Sequence, residues 1–148
     1  MPVFTSSIDI KNERDIVKAR QLARECAKQL GFSHIDQIRI TTAMSELARN
    51  LFLYASNGVI KMELVEKEQK GLKIVSEDQG PGIEDIREAL GDGYTTSGGL
   101  GAGLPGVKRI MDDFMIRSNV GKGTEIVAVK WAPRREGLSG VIGQSQKF

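Results

Sequence analysis

Apolar residues in this chain recur first with the period of a helix and then with the period of a strand. Ile16, Ala19, Leu22, Ala23, Cys26, Ala27 and Leu30 share one face of a 3.6-residue repeat. Asn12 followed three residues later by Asp15 has the form of an N-cap, and Gly31 ends that helix. Ser33 with Asp36 opens a second helix that runs to about Ala55, with Ile40, Met44, Leu47, Ala48, Leu51 and Ala55 on its core face. Asn57-Gly58 breaks the chain, and the pattern becomes strand-like over 59–66 and 72–77, with a turn near Gln69-Lys70-Gly71. Residues 3–10 alternate as a strand ahead of the first helix. A short helix over 83–90, a glycine-rich stretch, a helix over 105–112, and strands over 114–119 and 125–131 around Gly121-Lys122-Gly123 complete the order. This order predicts an α/β two-layer sandwich: one mixed β-sheet with helices on a single face.

Composition narrows the picture. At 148 residues and 40% hydrophobic, the chain holds one globular domain, expected over 1–132. Residues 133–148 have no periodicity and are expected to be a disordered tail. A net charge of +2 gives no footing for nucleic acid. One Cys and one His exclude a disulfide framework and a zinc ligand set, and Cys26, among helix-like apolar positions, is expected to be a buried, reduced thiol. The apolar runs are too short to span a membrane, and the start Met1-Pro2-Val3-Phe4-Thr5 lacks a basic signal region, so the expected location is cytoplasmic.

Glycine changes the picture most. Nine of the 17 glycines fall between Gly80 and Gly106. Glycine costs backbone entropy on folding, so such a run belongs where backbone must approach something closely. Backbone N–H groups of a glycine loop that feeds a helix N-terminus make a phosphate cradle, and the run leads into the helix expected near 105–112. The expectation is a nucleotide site. Gly101-x-Gly103-x-x-Gly106 matches the dinucleotide fingerprint, but that motif needs an apolar strand before its first glycine. Here a loop, Gly93-Tyr94-Thr95-Thr96-Ser97-Gly98-Gly99, precedes it, so a Rossmann reading fails.

Three polar residues point to chemistry. Glu46 and Asn50 lie four apart on the second helix, beside its core stripe, where both reach the edge of a groove without entering the core. A carboxylate accepts a proton from a nucleophile, and an amide oxygen is a hard, neutral ligand suited to Mg²⁺. Asp78 follows an apolar segment and should stand at a strand end, where a carboxylate accepts a hydrogen bond from an exocyclic amine such as adenine's. Gly80 and Gly82 then let the backbone pass a flat base. Taken singly, Glu46 and Asn50 read as well as a solvated polar face, and Asp78 as the head of a Pro-Gly turn. Their conjunction with two glycine boxes in this order disfavours the separate bland readings.

Those residues carry a resemblance. Glu46-Leu-Ala-Arg-Asn50 resembles the N box of the GHKL ATP-binding superfamily, Asp78-x-Gly80-x-Gly82 its first glycine box, Gly99-x-Gly101-x-Gly103 its second, and Gly121-Lys-Gly123-Thr124 its late Gly-x-Thr element. Within the superfamily the chain is most similar to anti-sigma-factor serine/threonine kinases, and most of all to the RsbT-type switch kinases of the bacterial stressosome. Residues 40–50, 77–83 and 96–109 carry that likeness, which spans about 5–132. The resemblance implies a Bergerat sandwich that binds ATP and Mg²⁺: Asp78 reading adenine with Gly80, Gly82 and Thr124, Asn50 holding the metal, and Ser97, Gly98, Gly99, Gly101, Ala102, Gly103 and Leu104 wrapping the phosphates. Glu46 would activate a substrate Ser or Thr hydroxyl. Arg49 either reaches a phosphate or a partner, or is an ordinary surface arginine.

The implied partners are STAS-domain stressosome proteins, which are phosphorylated, and the N-terminal region of a metal-dependent serine/threonine phosphatase, which is then activated. Two alternatives stand beside this: an anti-sigma kinase that binds sigma directly, and a non-catalytic, nucleotide-gated binding module. His34, the one histidine, sits near a helix start without a dimerisation helix, which argues against a histidine kinase. These 148 residues hold no transducer domain of the gyrase or MutL kind.

Overall fold

A computed structural model describes residues 5–55, 58–91 and 103–133. Strand β1 (Thr5–Ile10) leads into helices α1 (Glu13–Gln29) and α2 (His34–Tyr54), then strands β2 (Gly58–Glu66) and β3 (Lys70–Asp78). Helices α3 (Ile86–Ala89) and α4 (Gly103–Ile110) precede strands β4 (Asp113–Asn119) and β5 (Gly123–Trp131). The strands form one sheet in the order β1-β2-β3-β5-β4, so β3 runs through its centre.

Local chemistry explains the element ends. Asn12 Oδ1 accepts from the Asp15 N–H at 3.2 Å while Asp15 Oδ2 accepts from the Asn12 N–H at 3.1 Å, so the two residues satisfy each other's free amides at the start of α1. Ser33 Oγ does the same for α2, accepting from the Asp36 N–H at 3.1 Å. Gly31, at φ 85°, lets the chain turn from one helix into the next. The helix expected to reach 112 ends at Ile110, because β4 begins at Asp113 and Asp112 N–H already bonds the Val129 carbonyl of β5. Only residues 86–89 of the short helix expected over 83–90 are helical.

The sandwich is as expected, with one correction: the sheet is antiparallel at every described pairing, not mixed. The helices account for this. α1 and α2 pack on each other as a pair, so the excursion between β1 and β2 reverses the chain three times and returns it antiparallel. The crossover through α4 makes β4 run parallel to β3, but the tight turn at Gly121 sends β5 back between them, antiparallel to both. The parallel strands therefore never touch.

One face of the sheet packs on α1, α2 and α4 around a core that includes Ile10, Ile40, Met44, Leu47, Leu51, Ile60, Met62, Leu72, Ile74 and Val107. Cys26 is buried there as expected; burial, with the Glu25 charge adding to it, pushes its thiol up to about 11, so it stays protonated at neutral pH. The opposite face carries ion pairs, Lys61–Glu77 at 3.1 Å and Arg117–Glu125 at 2.8 Å, as a solvated sheet face should. Among the described residues no helix is long and apolar enough to cross a membrane. The tail from 134 lies outside the described residues.

Replacing Asn12 with Ala should lower the unfolding free energy by about 1 kcal/mol, read as a shift of the urea midpoint at pH 7. Asp15 adds a pH dependence. The Lys11 N–H, at 2.8 Å, is the main reason its carboxyl lies below the usual carboxylate range. Its contribution is therefore full above the unfolded value of about 3.9 and is lost as pH falls through the lower folded value. In Asp15→Asn that acid-range slope should disappear.

Candidate nucleotide-binding site

Strand β3 carries Asp78 to the end of the sheet, between Gly58 of β2 and Thr124 of β5. The in-facing positions of β3 are Leu72, Ile74, Ser76 and Asp78, so the alternation that builds the core ends in two polar groups. One Asp78 oxygen is fixed: Oδ1 accepts from the Gly80 N–H at 2.8 Å. The other has no hydrogen-bond partner among the described residues.

Two glycines hold this strand end against its neighbours. A Cβ on Gly123, at φ 128°, would run into the Asp78 carbonyl, and one on Gly82, at φ 81°, into the Asn119 carbonyl. Only glycine allows both the φ and the approach. Ser118 on β4 completes the clamp. Its Oγ accepts from the Ile83 N–H at 2.7 Å, donates to the Gly123 carbonyl at 3.2 Å, and lies 2.7 Å from Thr124 Oγ1. Either hydroxyl can be the donor in that last contact. Thr124 Oγ1 keeps a lone pair to accept from elsewhere in both cases.

These groups border a cavity of about 340 Å³, within the range of small-ligand sites. Asn50, Ser76, Asp78, Gly82 and Thr124 line it together with apolar Leu51, Ile83, Ala89, Leu104 and Ile126. Tyr54, Pro81 and the acidic Glu84, Asp85 and Glu88 complete the described wall. Asp85 is engaged as the cap of α3, accepting from the Glu88 N–H at 3.1 Å. Sequence reasoning missed Ser76, Ser118, Tyr54 and this acidic group. Ser76 was within reach of the period-2 rule, since it shares the in-facing side of β3 with Asp78. Ser118 was not, because its role is made by strand pairing.

Glu46 departs from expectation. It was placed beside the core, yet it is 2% exposed, and the described cavity wall takes Asn50 from α2 but not Glu46. The helix turns such that Glu46 lies one turn before Asn50, about 6 Å along the axis. Arg49 donates to Glu46 Oε2 at 3.5 Å, so Arg49 is tied to this carboxylate. Of the second glycine box, Gly103 and Leu104 begin α4, with Gly103 at φ 67°. Ser97, Gly98, Gly99, Gly101 and Ala102 lie outside the described residues.

The residues present fit a nucleotide and a divalent cation. A half-buried carboxylate and a hydroxyl that accept, beside apolar lining residues, suit the amine edge of a flat base. No group of three or more metal-ligating carboxylates, histidines or cysteines occurs among the described residues. A cation at Asn50 would thus take most of its ligands from phosphate and water, which is how Mg²⁺ is commonly held.

Comparison with known proteins shows the family. The histidine kinase-like ATPase domain family matches residues 11–130. The serine/threonine-protein kinase RsbT of Bacillus subtilis is 62% identical over 127 residues, covering 85% of this chain and 96% of that protein. An anti-sigma F factor of a Thermoanaerobacter strain is 30% identical over 118 residues, covering 76% of this chain and 82% of that protein. A solved Mycobacterium tuberculosis structure of RsbU and RsbW domains shares the fold, with a TM-score of 0.61 at 17% identity over 90% of this chain; the match spans 34% of that longer chain. The chain belongs to the histidine kinase-like ATPase family and, within it, to the RsbT-type serine/threonine-protein kinases.

Ser118→Ala would leave the half-buried Ile83 N–H without its acceptor. It should cost roughly 1–3 kcal/mol in urea unfolding. An unchanged midpoint would show that the β4 hydroxyl does not tie the strand end to residue 83.

Proposed function

We propose that this ATP-binding kinase reads adenine with Asp78, places Mg²⁺ at Asn50 and transfers phosphate to a Ser or Thr of a STAS-domain partner, with Glu46 as the base. The observation that carries the reading is Asp78 itself: a carboxylate at the wall of a partly apolar cavity, with one oxygen pinned by Gly80 and the other without a hydrogen-bond partner among the described residues. Asp78 and Thr124 supply two acceptors from paired strand positions, which matches the two hydrogens of adenine's exocyclic amine. Guanine presents a carbonyl there, and two acceptors facing an acceptor disfavour it strongly.

ATP supplies the phosphoryl group, and Mg²⁺ neutralises charge on it; the protein's part is positioning and electrostatics. The α4 N-terminus, opened by Gly103 and Leu104, turns backbone amides toward the end of the cavity that Leu104 lines. Residues 97–102, just before it, supply further amides for the phosphates. Glu46, paired with Arg49, is a carboxylate held in place beside Asn50, suited to take the proton of an incoming hydroxyl.

The partner cycle rests on the likeness to RsbT-type kinases, and charge gives it a physical route. Phosphate on the partner adds about −1.5 to −2 charges at the interface. Beside Glu46 and the nucleotide phosphates that charge is repelled, so transfer favours release. The freed surface then engages the N-terminal region of a metal-dependent serine/threonine phosphatase, in the cytoplasm. The likeness to anti-sigma F factors supports a second reading, in which the same site phosphorylates a sigma-antagonist.

Calorimetry with Mg²⁺ should show ATP and ADP binding and at least 100-fold weaker GTP, with Asp78→Asn losing most ATP affinity. Equal affinities for ATP and GTP would remove Asp78 from its role. In a radiolabel assay against purified STAS-domain proteins, wild type should label Ser or Thr, and Glu46→Gln should be slower by roughly 10²–10⁴ with ATP affinity retained. Label only on a sigma-antagonist would favour the second reading. Wild-type transfer by Glu46→Gln would exclude Glu46 as the base.

A further inference from the structure

The two buried polar or charged side chains among the described residues are Glu46 and Ser76. Glu46 has Arg49. Ser76 is 3% exposed, and its hydroxyl has no hydrogen-bond partner among the described residues. Native proteins rarely leave a buried hydroxyl unpaired, because desolvating it without a partner is unfavourable. The position makes the choice of serine conspicuous. Its in-facing neighbours along β3, Leu72 and Ile74, are apolar and buried, and its register partners across the sheet are Ile60 and Ile126. An apolar residue would pack there at least as well.

Ser76 also lines the cavity, on the same side of β3 as Asp78 and one pleat deeper. Of the buried residues that line the cavity, Leu51, Ser76, Ala89, Leu104 and Ile126, Ser76 is the polar one. We infer that the Ser76 hydroxyl is a specificity-determining group that donates its hydrogen to a ring nitrogen of the purine whose exocyclic amine Asp78 accepts. This inference rests on the adenine-nucleotide reading of the cavity. Adenine presents an amine donor directly beside a ring-nitrogen acceptor, on either side of the amine. A carboxylate acceptor and a hydroxyl donor on successive in-facing positions of one strand complement that order. Asp78 senses whether an amine is present; Ser76 senses the acceptor next to it. The hydroxyl, without a partner among the described residues, gains one on binding.

A cycle of protein and ligand changes tests this. Calorimetric affinities of wild type and Ser76→Ala are measured for ADP, 1-deaza-ADP and 7-deaza-ADP, the last two each lacking one ring nitrogen beside the amine. Wild type should lose roughly 3- to 10-fold in affinity for one of the two analogues, the size of one hydrogen bond. Ser76→Ala should bind ADP weaker by a similar factor and lose that discrimination. Ligand-free Ser76→Ala should melt no lower than wild type, since the hydroxyl has no protein partner to lose, while its stabilisation by ADP shrinks. The inference is overturned if Ser76→Ala binds ADP as tightly as wild type and keeps the discrimination. A clear fall in ligand-free melting temperature would overturn it too, because the hydroxyl would then serve the fold. If wild type binds no ADP, or Asp78→Asn binds it equally well, the adenine reading fails along with it. The Asp78→Asn arm tells the two failures apart.

Discussion

The site depends on a close approach between two backbones: Gly123 of β5 lies against the Asp78 carbonyl at the end of β3, where no side chain fits. That contact holds Thr124 opposite Asp78 and brings the β4–β5 turn over the Pro81-Gly82 bend, where the Gly121 N–H bonds the Pro81 carbonyl at 2.8 Å. Ser118 then locks residue 83 to the same corner. Central strand, late hairpin and the first glycine box thus form one joint. Moving any of the three moves the Asp78 carboxylate relative to Thr124. Such rigidity is what the proposed recognition of adenine by two acceptors requires, since a hydrogen-bonding site selects only when its groups cannot shift to suit the wrong base.

Helix α2 is the second determinant. Its inner face, Ile40, Met44, Leu47 and Leu51, covers the sheet, and the polar residues Glu46, Arg49 and Asn50 share its C-terminal half. The packing that stabilises the helix therefore also fixes how far its polar groups stand from the end of β3. Glu46 shows the tension in this arrangement. A carboxylate 2% exposed would be costly alone, and Arg49, a residue of the same helix turn, keeps it paired. The arginine accordingly belongs to the electrostatics of that buried carboxylate. Ser76 shows a milder case of the same kind, a buried polar group without a hydrogen-bond partner among the described residues.

Much of this was legible in the sequence, for a physical reason. Helix caps, hydrophobic periods and turn glycines are local, so Asn12, Ser33, Gly31 and the alternation along β3 announced the elements to within a few residues. Asp78 at a strand end followed from the same pattern. The spacing of Glu46 and Asn50 put both on one side of α2, and the structure agrees for Asn50, at the cavity, while it buries Glu46. A helical wheel gives the angle between two side chains but not the depth of the neighbouring layer.

What the sequence determined by itself was the inventory: five strands, the α1–α2 pair, and the glycine runs with an acidic residue at their head. What the tertiary structure decided was adjacency. Whether β4 or β5 lies beside β3 depends on which pairing buries Ile126 and Ala128 on the helix side, a matter of long-range packing that no local pattern contains. Choosing β5 makes every pairing antiparallel, brings Thr124 to Asp78, and recruits Ser118 from the next strand out. The chain specifies which groups exist; the sheet order decides which of them meet, because side chains 46 residues apart, as Asp78 and Thr124 are, become neighbours only through the strands that carry them.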